Sequence, residues 1–206
     1  MARVGILGGT FNPPHIGHLV CAASAREQLG LDHVVLMPVF VPPHKTVTDD
    51  PGPQERLELC RLAVADDPGL RVSALEVERG GPSYTVETLR ALQDARPEDE
   101  RWFIVGGDMA QSLPTWREPE GVLALATLAV AEREGITRQD VLDRVAGLAG
   151  AAERVRFFDV PRMDLSSSLL RRRLAEGRTV RHLVPAAVER RIDERGFYRR
   201  NPYPGG

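Results

Sequence analysis

Two histidines three residues apart, just past a pair of glycines, are the group in this chain best suited to chemistry. They lie in GGTFNPPHIGHL, residues 8–19, where His15 and His18 follow Gly8 and Gly9. Glycines let a backbone approach a phosphate, and the open N–H groups of a helix's first turn point at an anion. Two imidazoles on one helix face, at i and i+3, add hydrogen-bond donors for phosphate oxygens. Thr10, Phe11 and Asn12 complete the loop between them. This is neither G-x-G-x-x-G nor a Walker loop, because Gly5, Gly8 and Gly9 have the wrong spacing and no Gly-Lys-Ser/Thr follows. The alternatives are a structural histidine pair, a plain tight turn, or a zinc site completed by Cys21. Against zinc, positions i, i+3 and i+6 shift by about 60° at each step round a helix, so Cys21 lies about 120° from His15 and points elsewhere.

A second group lies near the C-terminus: Leu165-Ser166-Ser167-Ser168-Leu169-Leu170-Arg171. Hydroxyls and free amides at a helix start, with a guanidinium one turn on, suit the β- and γ-phosphates of a nucleotide. Its alternative is plain helix capping followed by the arginine-rich run 171–173. Among 27 basic residues, Lys45 is the single lysine. One position has kept a compact ammonium where guanidinium is the rule.

The elements that must position these groups alternate. Strands are predicted at 4–7, 34–37, 72–77, 102–105, 123–130 and 155–158, the 123–130 run being rich enough in Ala to permit helix. Helices are predicted at 16–29, 54–64, 85–92, 141–148, 166–174 and 185–195. Alternation of this kind implies an α/β, Rossmann-like, doubly wound and mostly parallel sheet with helices on both faces. A small helical portion at about 161–200 carries the serine box, and the tail 201–206 is expected to fray. No repeat or composition shift divides the 206 residues, so one domain is expected. In such folds ligands bind beyond the carboxyl ends of the strands, where Gly8-Gly9 and Gly106-Gly107 are placed.

Composition narrows the function. A net charge of −2 gives no basic field for nucleic acid, and every apolar run is broken by charge or proline before it could span a bilayer. The N-terminal apolar run is too short for a signal peptide, and the two cysteines lack CxxC spacing, so a cytoplasmic protein with reduced thiols is expected.

The first stretch contains GxxxPxHxxH, Gly9 to His18, and so resembles the nucleotidyltransferase superfamily that shares its HIGH box with class I aminoacyl-tRNA synthetases. A synthetase would also carry a KMSKS-like loop, which a chain with one lysine cannot have. The serine box looks like the superfamily's ISSTxxR motif. Pro42-Pro43-His44-Lys45, GGPSYTVETL at 80–89, GGD at 106–108, Leu113-Pro114-Thr115-Trp116 and the closing LVPAAVERRIDERGFYR narrow the resemblance to the bacterial nicotinate mononucleotide adenylyltransferases. Phosphopantetheine adenylyltransferases share the outer motifs but lack PSYT and the Thr-Trp element.

The resemblance implies adenylyl transfer from ATP to nicotinate mononucleotide, giving deamido-NAD and pyrophosphate, with Mg²⁺ carried in on ATP. It implies catalytic roles for His15, His18, Lys45 and Arg171, and a triphosphate site formed with Ser166, Ser167 and Ser168. Tyr84 and Thr85 would receive the pyridine carboxylate, Trp116 would stack on the ring, and Asp108 beyond Gly106-Gly107 would bind a ribose hydroxyl. For Trp116 the ordinary alternative is a core side chain, and Ser83 is expected to be a helix cap. Departures from the family are few: Leu165 and Ser168 replace Ile and Thr of ISSTxxR, Asn12 stands where Asp is usual, and Arg133, within Ala131-Glu132-Arg133-Glu134-Gly135, matches the usual R-x-G pattern only loosely as an adenine contact. The expected partners are small molecules, with no nucleic acid and no membrane, and homo-oligomerisation is left open.

Overall fold

A computed structural model describes residues 1–42, 48–132 and 135–199. Six strands form one sheet: β1 (Arg3–Gly9), β2 (His33–Pro38), β3 (Leu70–Val72), β4 (Glu100–Gly106), β5 (Thr127–Glu132) and β6 (Val155–Asp159). Their order is β3-β2-β1-β4-β5-β6 and all five pairings are parallel. The chain therefore winds outward from β1 in one direction and then, from β4, in the other. β1 and β4 lie side by side at the switch, with Gly8-Gly9 and Gly106-Gly107 at or just beyond their carboxyl ends. This is where an open parallel sheet leaves a crevice.

Ten α-helices accompany the strands among the described residues: α1 (Ile16–Leu29), α2 (Pro53–Val64), α3 (Leu75–Arg79), α4 (Thr85–Ala95), α5 (Gly107–Ser112), α6 (Pro119–Leu125), α7 (Arg138–Val145), α8 (Ala151–Arg154), α9 (Ser167–Ala175) and α10 (Ala186–Arg195). Successive strand residues divide between two cores, as the two-residue period of a strand requires. Leu7, Trp102 and Ile104 pack with Cys21, Ala22, Ala25, Leu59 and Cys60, and with Leu170, Leu174, Val188 and Ile192 of α9 and α10. Ile6, Phe103 and Val105 pack on the opposite face with Val86, Leu89, Leu113, Val122 and Val141. The sheet is covered on both sides, and the serine-box helix shares the core of the histidine helix.

Two predicted strands are corrected. The run 72–77 pairs only as Leu70–Val72; the Ser73 hydroxyl then accepts the Leu75 amide at 3.2 Å and the chain turns into α3. α3 then buries the adjacent Glu76 and Val77, which a strand would place on opposite faces. The run 123–130 is divided between α6, which opens on Pro119, and β5. The predicted 141–148 helix starts earlier, at Arg138, where the Thr137 hydroxyl accepts from the Asp140 amide and the Asp140 carboxylate accepts from the Thr137 amide.

Candidate active site

The sequence of β1 sets the position of the first loop. A Cβ on Gly5 would lie 2.8 Å from Val34 Cγ2, so only glycine lets β1 sit this deep in the sheet. The chain leaves β1 through Gly8 and Gly9. There a Cβ on Gly9 would meet the Phe11 ring at 3.0 Å. Phe11 adopts φ 51° and is 2% exposed, so its side chain belongs to the core. Anything it offers a substrate is backbone.

His15 is not within α1 but immediately before it, in extended conformation, and its backbone N–H donates to His18 Nδ1 at 3.2 Å. The two imidazoles stack with centroids 3.7 Å apart, and Phe11 meets His18 edge-on at 4.9 Å. Because His18 Nδ1 accepts, its proton is assigned to Nε2, and the ring is held by packing on both sides. Cys21, one turn on, is buried in the core.

The serine box meets this loop. Arg171 Nη1 donates to the Asn12 carbonyl at 2.8 Å and the Ser167 hydroxyl to the Pro13 carbonyl at 2.9 Å. Each serine has its own task. Ser166 caps α9 by accepting the Leu169 amide at 3.2 Å, Ser167 latches the loop, and the Ser168 hydroxyl accepts from Arg171 Nη2 at 3.3 Å. Arg171 thus has neutral partners and no ion pair among the described residues. Asn12 is equally committed: its Oδ1 accepts from the Tyr198 hydroxyl at 2.7 Å, and its Nδ2 donates to the Thr48 and Asp49 carbonyls. Burial pushes the Tyr198 phenol above its ordinary value, which keeps it a donor.

A cleft of about 1080 Å³ opens beside the two motifs, lined by Gly17, Leu165 and Ser166 and by Glu132, Gly135, Ile136 and Thr137. Ser168 and Arg171 instead border a separate cavity of about 670 Å³ shared with Asp50 and Tyr198. Ile136, Thr137 and Met163 were not anticipated from the sequence, because nothing in the types of an Ile, a Thr and a Met marks the wall of a cleft. Lys45 and Arg133 lie outside the described residues.

The other predicted residues gather across the switch point on α4, α5 and the turn at Leu113–Thr115. Tyr84 precedes α4 and Thr85 begins it, and no side chain caps this helix. The Arg117 guanidinium lies 4.8 Å over the Tyr84 ring. Trp116 is half-buried; it meets Phe103 edge-on at 6.0 Å and donates from Nε1 to the Ser112 hydroxyl at 2.9 Å. Asp108 is exposed in the first turn of α5, and a Cβ at Gly106 would lie 2.8 Å from its Oδ1, so glycine leaves room for the carboxylate to fold back. Ser83 does not cap α4: its hydroxyl accepts the Phe40 amide at 3.0 Å. Below it, Glu76 is buried and accepts the Thr88 hydroxyl at 2.6 Å. Burial pushes its carboxyl up, against the pull of the Thr88 and Ser83 hydroxyls and of Arg79.

A doubly wound sheet with a glycine turn and two histidines, the loop between them bonded to a hydroxyl-arginine helix start, is a nucleotidyltransferase arrangement. The family model described as cytidylyltransferase-like matches residues 6–173. A Thermus thermophilus protein named "Probable nicotinate-nucleotide adenylyltransferase" is 43% identical over 198 residues, spanning 96% of this chain and 100% of the relative. A Citrifermentans bemidjiense protein of the same name is 41% identical, over 95% of this chain and 98% of its own. The fold also matches that of a Plasmodium falciparum nicotinic acid mononucleotide adenylyltransferase complexed with NaAD. Its TM-score is 0.78 and its identity 15%, with 96% of this chain and 98% of that one covered. The chain belongs to the nicotinate-nucleotide adenylyltransferase family, within the cytidylyltransferase-like group.

Proposed function

We propose that this site joins the α-phosphorus of ATP to the 5′-phosphate of nicotinate mononucleotide, giving nicotinate adenine dinucleotide and pyrophosphate in NAD biosynthesis. The observation that carries the reading is the junction of the two motifs, where Arg171 and Ser167 hold the carbonyls of Asn12 and Pro13 just ahead of the stacked histidines.

A phosphate monoester is already a nucleophile, so no side-chain base or covalent intermediate is required. Its oxygen attacks the α-phosphorus in line. The bond from that phosphorus to the bridging oxygen breaks, and its electron pair leaves with pyrophosphate. Catalysis is then positioning and charge stabilisation. His18, with its proton on Nε2, would donate to an α-phosphate oxygen as charge builds there, and His15, stacked on it, fixes the ring. Arg171, lacking a carboxylate partner among the described residues, would neutralise the triphosphate together with Lys45. The amides of Ser167 and Ser168 begin α9 and suit the outer phosphates, and the cleft beside Gly17 and Ser166 suits the nucleoside, with Arg133 as a further contact.

Magnesium would enter as part of the substrate MgATP and offset phosphate charge there. On the acceptor side, the open start of α4 at Tyr84 and Thr85 favours an anionic carboxylate over a neutral amide. Trp116 offers a ring face, and Asp108 accepts from a ribose hydroxyl. The reading includes the cytoplasm as the compartment, in keeping with two buried cysteines that form no disulfide.

The test is pyrophosphate release with MgATP and, at equal concentrations, nicotinate mononucleotide, nicotinamide mononucleotide or phosphopantetheine. Strong preference for the first is expected. Equal use of both pyridine nucleotides would remove the carboxylate role of Tyr84 and Thr85, and no turnover with any acceptor would overturn the reaction.

A further inference from the structure

Arg56, on the first turns of α2, has no exposed surface at all. A buried guanidinium is costly unless its donors and its charge are met. Here Nε donates to Asp50 Oδ1 at 2.9 Å, Nη1 to the Thr10 and Val39 carbonyls at 2.9 and 2.7 Å, and Nη2 to the Phe40 carbonyl at 3.0 Å. Four of the five N–H donors are paired. Asp50, the partner in charge, is itself fixed by accepting the Gly52 amide at 3.0 Å.

What Arg56 touches belongs to two neighbouring loops, those that follow β1 and β2. Thr10 belongs to the donor loop that leads from Gly9 toward the histidines. Val39 and Phe40 continue from the end of β2, and the Phe40 N–H donates to the Ser83 hydroxyl at 3.0 Å. The Ser83 N–H returns a bond to the Val41 carbonyl at 2.9 Å. Ser83 directly precedes Tyr84 and Thr85 at the acceptor end of α4. One buried side chain is therefore bonded to the donor loop and, through a single intervening residue, to the acceptor loop.

We infer that Arg56 is a positioning residue that sets the distance between the two substrate half-sites, tying the donor loop at Thr10 to the acceptor loop at Ser83 by way of Phe40. The inference rests on the adenylyl-transfer reading, since the distance matters only where two bound substrates react with one another. Lysine cannot substitute, because one ammonium at a single point cannot reach three carbonyls and a carboxylate spread around a planar fork. Each substrate is gripped within its own half, so an altered distance is felt in the transition state more than in either binding step.

The test measures Arg56→Lys beside wild type: steady-state kcat at saturating MgATP and nicotinate mononucleotide, Kd for each substrate alone by calorimetry, and thermal melting. The expected result is a kcat about 100-fold lower, as for a misplacement near 1 Å, with each Kd within about threefold of wild type. A kcat within about threefold of wild type, or a loss confined to the individual Kd values, overturns the role of Arg56. Should Arg56→Lys fail to melt cooperatively, Ser83→Ala decides, because it removes the hydroxyl that accepts from Phe40 and bonds Glu76 while Arg56 and Asp50 keep their own bonds. A kcat about tenfold lower with both Kd values kept supports the inference, and an unchanged kcat overturns it. Wild-type protein inert toward the substrate pair would instead overturn the adenylyl-transfer reading itself.

Discussion

The donor half of the crevice is closed by bonds between the two ends of the chain, whereas the acceptor half is assembled from neighbours. Around Asn12 and Pro13, the bonds from Ser167, Arg171 and Tyr198 span 154, 159 and 186 residues. Around Trp116 the corresponding bond to Ser112 spans four, and the ion pair of Arg117 with Glu87 spans 30 and is half-exposed. Exposed ion pairs contribute little, while buried hydrogen bonds to charged groups contribute more. The donor loop thus takes its shape only when the whole chain has folded, whereas the contacts around Trp116 form between near neighbours. On the proposed reading, phosphate chemistry falls to the first half and acceptor recognition to the second.

The largest effect that would break this contrast is expected at His18. His18→Ala should lower kcat by about 10³-fold with the fold intact, as pyrophosphate release and melting would show. Retained turnover would remove the histidine from the chemistry. Arg171→Met comes next, because it deletes both a charge and the latch on Asn12. Its kcat/KM for MgATP should fall about 100-fold and its Tm by about 4 °C, equivalent to roughly 1.5 kcal/mol in a chain of this size. A loss of activity with no change in melting would mean that the latch is not structural.

On the acceptor side the loss should appear in binding. Trp116→Leu should raise KM for nicotinate mononucleotide about tenfold and leave kcat within about threefold. A fall in Tm with an unchanged KM would make Trp116 a core side chain and nothing more.

The smallest effect concerns Glu76 beneath the acceptor loop. Burial raises its folded-state pKa. Its carboxyl therefore contributes stability that is complete below the unfolded-state value and is lost as pH rises through the folded one. Glu76→Gln keeps an acceptor for the Thr88 hydroxyl, so its Tm relative to wild type should rise between pH 4 and pH 8, by about 2–4 °C per kcal/mol. A constant difference across that range would mean that the carboxyl is not raised.

How far the sequence could be read follows the same division. The strand–glycine–helix pattern around β1 and the serine cap of α9 were legible because each is a local signal: period two, then glycine, then a helix start. Their meeting was not legible, since nothing in Asn12 or Pro13 announces a bond to residues 167 or 171. Arg56 was invisible for a related reason. In a polar stretch at the start of a helix, an arginine reads as surface, and only the packed loops from β1 and β2 surround it. The runs 72–77 and 123–130 misled because short apolar alternation fits both a strand and a helix that follows a turn. Resemblance of motifs supplied the substrates, which spacing and periodicity alone do not specify.

The most direct test of the central claim, a single in-line displacement by the acceptor phosphate with no enzyme-bound intermediate, is stereochemical. Wild-type protein would be given one diastereomer of adenosine 5′-(α-thio)triphosphate with nicotinate mononucleotide and Mg²⁺, and the configuration at phosphorus in the dinucleotide read by ³¹P NMR. Inversion is the predicted result. Retention would require two displacements, and so a nucleophile on the protein, and would contradict the account.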